Sequence, residues 1–325
     1  MHSLIKAIFV FLLLQLSAVA SAQTSGLAHY SNSINKESIE RSLSFISDDL
    51  TKGRLTGTPG SMIVSSYLRD EFKRMGMIPF YSSTFTQSFP VNNLSTSEKI
   101  TGRNIIGVIP SLYYTDEYIL ISAHYDHLGI IGGRVYNGAD DNASGVSALL
   151  SIAETFSTMR LSREGPRKNI IFALFDAKEG NMAGSEYFSK NLPISSSKIS
   201  YNINIDQIGC TFTPPGSSDN YLLYVADARI RGTIKNALET LNRFYDLDMD
   251  IDHTFYDSPS FYDIFLRTSD QYNLSKAGIP SMLFTSGIHM HTYKHTDVKY
   301  FINYPVLVNR TRLLFLLTNY LIGNR

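Results

Sequence analysis

The chain has no tryptophan and, among its 325 residues, a single cysteine, Cys210. One thiol excludes an intramolecular disulfide framework. Its setting, Tyr-Asn-Ile-Asn-Ile-Asp-Gln-Ile-Gly-Cys, is that of a buried, inert thiol rather than a nucleophile. An excess of charge of either sign is also missing: Lys+Arg and Asp+Glu both number 29. That balance removes the electrostatic case for nucleic acid or an anionic membrane surface. Internal repeats, low-complexity tracts and linker-like shifts of composition are absent as well. What remains is 43% hydrophobic and 18% charged, the composition of a globular protein with a substantial core.

The N-terminus carries a different pattern. His2 and Lys6 precede an apolar run from Ala7 to Leu16, followed by Ser-Ala-Val-Ala-Ser-Ala-Gln. A short basic segment, an apolar stretch and an A-x-A site read as a signal peptide, with cleavage after Ala22. The run falls short of the roughly 20 residues that span a bilayer. No cysteine follows the site, which argues against a lipid anchor. The expectation is therefore a signal peptide over 1–22, one domain over 23–325, and export to the periplasm or the medium.

Beyond the leader, Ser33–Gly76 has a helical pattern broken at Lys52–Ser61, and Gly76 is placed as a C-cap. Strand-like segments follow at Thr84–Phe89, Arg103–Ile109 and Tyr118–Ala123, then a helix at Ser144–Ser157. A strand at Asn169–Phe175, a short helix at Ser185–Lys190 and a strand at Tyr201–Ile208 come next. The chain continues with a strand at Tyr221–Val225, a helix at Arg229–Phe244, a strand at Pro280–Thr285 and a final helix at Pro305–Ile322. Such alternation predicts an α/β fold: a single domain with a mixed, mostly parallel central sheet flanked by helices.

In open α/β sheets functional residues gather where strands end. Strand ends here deliver His124-Tyr125-Asp126, Lys178-Glu179, Asp206 and a turn with His289, His291 and His295; between the first two lies Gly138-Ala-Asp140-Asp141-Asn142-Ala-Ser-Gly145. Imidazole nitrogens and carboxylate oxygens are zinc ligands. Two zincs about 3.5–4 Å apart need a shared carboxylate, and Asp126 suits the second N–H of a ligating His124. Singly, each piece reads as a solvated turn, a helix cap or a strand ion pair. Their joint occurrence points to a metal centre.

The strings H-Y-D-H-L-G, N-G-A-D-D-N-A-S-G, F-D-A-K-E-G-N-M-A-G-S-E-Y-F and N-I-D-Q-I-G together resemble metallopeptidase family 28. Further matches are G-R-L-T-G-T-P-G at Gly53–Gly60 and S-D-Q-Y-N-L-S-K-A-G-I-P at Ser269–Pro280. The family includes secreted bacterial aminopeptidases, with glutaminyl cyclases as relatives. The resemblance implies a phosphorylase/hydrolase-like fold holding one or two zinc ions, and a peptide as substrate. It implies His124 and Asp206 on one zinc, Glu179 and a final histidine on the other, and Asp140 as the bridge. Asp141 would shape the backbone beside it.

Three departures stand out. Counting back from Gly184-Ser185 puts Glu179 on the ligand position and Lys178 where the family carries its general-base glutamate. Either Lys178 loses its proton beside the cations and acts as a base, or it swings out to solvent. At the last ligand, His291 fits an H-T motif, with His289 and His295 as alternatives; alignment on Asp297 would instead place Tyr293 there. Gln271 stands where the family often has histidine. The expected function is an exported zinc aminopeptidase with Lys178 in place of the base. The alternative is a catalytically impaired zinc- or partner-binding protein. A glutaminyl cyclase fits less well, because the family's cyclases use tryptophan in the substrate pocket.

Overall fold

A computed structural model describes residues 26–92, 98–210, 218–253 and 259–323. The expected signal peptide, 1–22, lies outside the described residues.

Each segment folds as its local chemistry directs. Asn35 accepts a hydrogen bond from the Ser38 amide and opens α1 (Lys36–Ile46). Thr58 caps α2 (Pro59–Arg74) with proline in its first turn, and Gly76, at φ 68°, turns the chain away beyond it. Strands β1 (Ile78–Pro79), β2 (Thr86–Asn92) and β3 (Lys99–Ile109) lead to β4 (Tyr118–His124). A small hairpin, β5 (Gly129–Ile131) and β6 (Arg134–Tyr136), is closed by Gly132 and Gly133, both at positive φ. Then come α3 (Gly145–Leu161), β7 (Asn169–Phe175), α4 (Ala183–Lys190), β8 (Ile199–Ile205) and β9 (Tyr221–Ala226). The chain ends with α5 (Arg231–Phe244), β10 (Asp250–Asp252), α6 (Pro259–Leu266), α7 (Gln271–Lys276), β11 (Ser281–Thr285) and α8 (Tyr304–Gly323).

The main sheet runs in the order β1-β3-β7-β4-β8-β11-β9-β10, with β2 paired to β3. Its centre, β7-β4-β8-β11, is parallel, while β3 and β9 join it antiparallel. The fold is thus the mixed, mostly parallel α/β sheet expected. Successive strand side chains face opposite ways. Ile119, Ile121, Ile170, Phe172 and Leu174 therefore enter a core with α1, α2, α3 and α8. Leu120, Ile171, Ala173 and Phe175 enter another with Phe188 of α4 and Leu274 of α7. Burial on both faces explains why β4 and β7 are almost wholly apolar. Helix α3 is apolar because it lies between the sheet and its helical neighbours, and α8 because it packs among α1, α3 and α5.

The strand expected at Tyr201–Ile208 stops earlier than the sequence suggested. It ends at Ile205, because Gln207 takes a φ of 56°, leaving Asp206 just past the strand with its amide bonded to the Phe284 carbonyl. No helix among the described residues is long and apolar enough to cross a membrane.

Candidate metal centre

The parallel strands β4, β7 and β8 end side by side, so their C-terminal residues meet. His124, the last residue of β4, is fully buried. Its Nε2 lies 3.3 Å from Asp141 Oδ1 and 3.3 Å from Asp206 Oδ1. Its Nδ1 faces Asp126, at 3.2 Å from the backbone oxygen and 3.7 Å from Oδ1. A tetrahedron around zinc with bonds of roughly 2.0–2.1 Å has edges of about 3.3 Å. Two edges of zinc-site length thus meet at His124, one from Asp141 and one from Asp206.

Asp126 does more than face His124. Its carboxylate accepts the amides of Lys178 at 3.0 Å and Glu179 at 3.1 Å, fixing the turn after β7. That turn brings Glu179 up to the cluster, where ligand atoms of His124, Asp141 and Glu179 all lie within 4.8 Å of one another. Lys178 comes with it and stays inside. Its Nζ is 3.0 Å from Glu179 Oε1, 3.7 Å from Asp141 Oδ1 and 5.5 Å from the centre of the Tyr293 ring.

The electrostatics follow from this crowding. Burial alone lowers the pKa of Lys178, but Asp141, Asp206 and Glu179 outweigh it and hold the ammonium well above its ordinary value. Of the two expected behaviours, a swing to solvent is not seen: the side chain is 5% exposed. Burial pushes Glu179 up to about 7, with Asp141 adding to the rise and Lys178 opposing it. Burial and Lys178 depress His124, yet Asp206, Asp126 and Asp141 leave it well above the ordinary histidine value. Burial lowers the nearby His127 to about 3, so that ring is neutral. Both oxygens of Asp141 are buried without a hydrogen-bond partner, an expensive state that a bound cation would relieve.

Two expected ligands are elsewhere. Asp140 turns its carboxylate away from the cluster: Oδ1 accepts the Gly209 amide at 2.6 Å and Oδ2 meets His289 Nε2 at 2.8 Å. The carboxylate that lies with His124 and Glu179 is that of Asp141. The cause lies in the backbone. Gly138 at φ 55° starts a tight turn in which the Asp297 carboxylate takes the amides of Asp140 and Asp141, aiming their side chains apart. A Cβ at Gly138 would collide with the Asp141 carbonyl and the His127 ring.

His291 is also directed away. Its Nδ1 meets Thr296 Oγ1 at 2.9 Å, and its ring stacks on Phe301 at 4.1 Å. His295 pairs with Arg134 at 2.6 Å, and His289 with Asp140. Asp297 anchors the register of this turn, and the residue four before it, Tyr293, faces Lys178. Gln271, in place of the frequent histidine, is buried and bonded to Asn204.

Two positions escaped the sequence reading. Arg54, in the Gly53–Gly60 block, is fully buried. It donates to the carbonyls of Tyr125 at 2.6 Å, Gly138 at 2.7 Å, Asp141 at 3.2 Å and, more closely still, Asn137. One guanidinium thus ties the His124 loop to the Asp141 loop. Asn142 accepts the amides of Gly145 and Gln207 and donates to Ile205, joining α3 to the end of β8.

Comparison with known proteins bears on this arrangement. A family profile described as Peptidase family M28 matches residues 104–307, well over half of the chain. The chain belongs to peptidase family M28. Over 169 residues, covering 48% of this M28 chain and 47% of the relative, it is 28% identical to the alkaline phosphatase isozyme conversion protein of Escherichia coli. Over 144 residues, covering 43% of this chain and 29% of the relative, it is 32% identical to leupeptin-inactivating enzyme 1 of Streptomyces exfoliatus. The chain therefore spans less than half the length of these relatives. Among solved structures, the glutaminyl cyclase of Porphyromonas gingivalis superposes with a TM-score of 0.68 at 17% identity, covering 88% of this chain and 98% of that one. A Zn-dependent exopeptidase from Parabacteroides distasonis superposes with a TM-score of 0.65 at 19% identity, covering 90% and 99%. At those identities the likeness establishes the shared fold.

Proposed function

We propose that this M28 protein is an exported zinc-dependent exopeptidase of the aminopeptidase type, acting slowly on the N-termini of peptides. The observation that carries the reading is the buried group His124, Asp141 and Glu179, whose ligand atoms lie within 4.8 Å of one another, with Asp206 3.3 Å from His124 and both Asp141 oxygens lacking a hydrogen bond. Bound zinc supplies Lewis-acid polarisation of a carbonyl and lowers the pKa of water. The rest falls to the protein's own groups. Asp126 holds the imidazole of His124 from behind and fixes the Lys178–Glu179 turn. Asp141, Asp206 and Glu179 give the cleft the negative charge that attracts a peptide's free amine.

Lys178 sets the rate. An ammonium paired with Glu179 and Asp141 cannot take a proton from water, and losing a positioned general base typically costs about 10²–10⁴-fold. That same observation favours a second reading, a zinc-binding M28 protein that captures peptides without cleaving them. Export rests on the N-terminal pattern of residues 1–22.

The experiment is a screen of purified, zinc-loaded protein against aminoacyl chromogenic substrates, beside Lys178→Glu. A slow wild type and a gain of two or more orders of magnitude in Lys178→Glu is the expected result. High wild-type turnover that falls in Lys178→Glu would sink the lost-base reading. Inactivity of both proteins would favour the capture reading.

A further inference from the structure

The resemblance implies a second metal ion on Glu179, the structure brings Asp141 rather than Asp140 beside that carboxylate, and in this chain the space between the two is filled. Lys178 Nζ sits there, 3.0 Å from Glu179 Oε1 and 3.7 Å from Asp141 Oδ1. A zinc in that place would lie roughly 2.0–2.2 Å from an oxygen of each carboxylate. An ammonium and a dication cannot share so small a volume. We propose that the Lys178 ammonium replaces the second metal ion, so that the centre is built for one zinc and one fixed organic cation.

Three further observations converge on this assignment. The lysine side chain is only 5% exposed, so its stem is packed rather than free to withdraw into water. Tyr293, at the register position of the last metal ligand, presents its ring to the ammonium at 5.5 Å. These two departures from the family pattern suit one another, since an aromatic face attracts an ammonium whereas an imidazole there would serve a metal. The charges agree as well. Asp126, Asp141, Asp206 and Glu179 are the carboxylates around the cluster. Two dications and the ammonium would exceed these four negative charges, whereas one dication and the ammonium do not.

The inference rests on the zinc reading of the preceding section and adds to it a stoichiometry and a cause. Its test is metal counting on the full-length folded protein, by calorimetric titration with zinc and by elemental analysis after gel filtration. Wild type should bind one zinc, and the double variant Lys178→Glu/Tyr293→His should bind two. Two zincs on wild type would overturn the assignment while leaving the zinc reading intact. One zinc on both proteins would overturn it too, because the lysine would not then be what excludes the second ion. No zinc on either would overturn the zinc reading and this inference with it. Lys178→Met keeps the buried stem and guards against misfolding of the double variant. Removal of the ammonium beside the first ion should tighten its binding at least tenfold, and unchanged affinity would refute the proposal.

Discussion

Two clusters of potential metal ligands lie on opposite sides of a single backbone turn, and they differ in what is left unsatisfied. On one side, Asp140, Cys210 and His289 bring ligand atoms within 4.8 Å of one another, as His124, Asp141 and Glu179 do on the other. The first group is closed: Asp140 is bonded to His289 and the Gly209 amide, and burial pushes the Cys210 thiol up, which keeps it protonated. The second leaves both oxygens of Asp141 without a hydrogen bond and packs three carboxylates around one lysine. Proximity of ligand types is common to both. Unmet polar demand belongs to the second alone, and that is the better sign of a site awaiting a cation.

The largest expected effect breaks both clusters together. Arg54→Ala strips hydrogen bonds from buried carbonyls on both loops, each unpaired group costing about 1–3 kcal/mol. It also opens a cavity. Stability in urea should fall by at least ~3 kcal/mol, and a loss under 1 kcal/mol would show that the loops hold themselves. Next, Asp141→Asn should weaken zinc binding more than about 100-fold, beyond the roughly 10–100-fold typical of groups that only orient a ligand. Asp140→Asn should do the reverse: a stability loss of about 1–3 kcal/mol from the disturbed His289 and Gly209 contacts, with zinc affinity within a few-fold of wild type. Equal effects of these two substitutions on zinc would erase the distinction between the clusters.

The contrast between neighbouring aspartates also marks where the sequence stops being legible. The α/β order, the parallel centre and the strand ends carrying His124, Glu179 and Asp206 can be read from apolar runs and their boundaries, because burial on both faces of a sheet leaves that trace. Lys178 could be placed by counting from Gly184-Ser185. The choice between Asp140 and Asp141 could not, because only the turn starting at Gly138 and pinned by Asp297 decides which carboxylate faces His124. The last position is hard to read for another reason. Three histidines in one turn drew attention from Tyr293, and the decisive anchor, Asp297, shows its role only through hydrogen bonds to residues more than 150 positions away. Arg54 was invisible for a simpler reason: an arginine in a glycine-rich stretch reads as solvated surface until its guanidinium is seen to collect carbonyls.

The mildest effect concerns protons, and it separates the clusters by pH. His124 has its folded pKa raised well above 6.5 in the metal-free protein. Stability contributed by that imidazolium is therefore fully present below an unfolded value of about 6.5 and is lost as pH rises through the raised value. Zinc affinity must run the opposite way, since a ligating imidazole has to be neutral and binding expels its proton. Affinity should rise about tenfold per pH unit from 6.5 upward and flatten once His124 is neutral without zinc. Calorimetry in two buffers of different ionisation enthalpy should register between one and two protons released per zinc at pH 7, from His124 and in part from Glu179, which burial holds near 7. Asp140→Asn should leave that count unchanged, because His289 stands on the other side of the turn. A proton count near zero at pH 7 would mean that His124 is already neutral and Glu179 already ionised, and that Lys178 alone supplies the positive charge the carboxylates require.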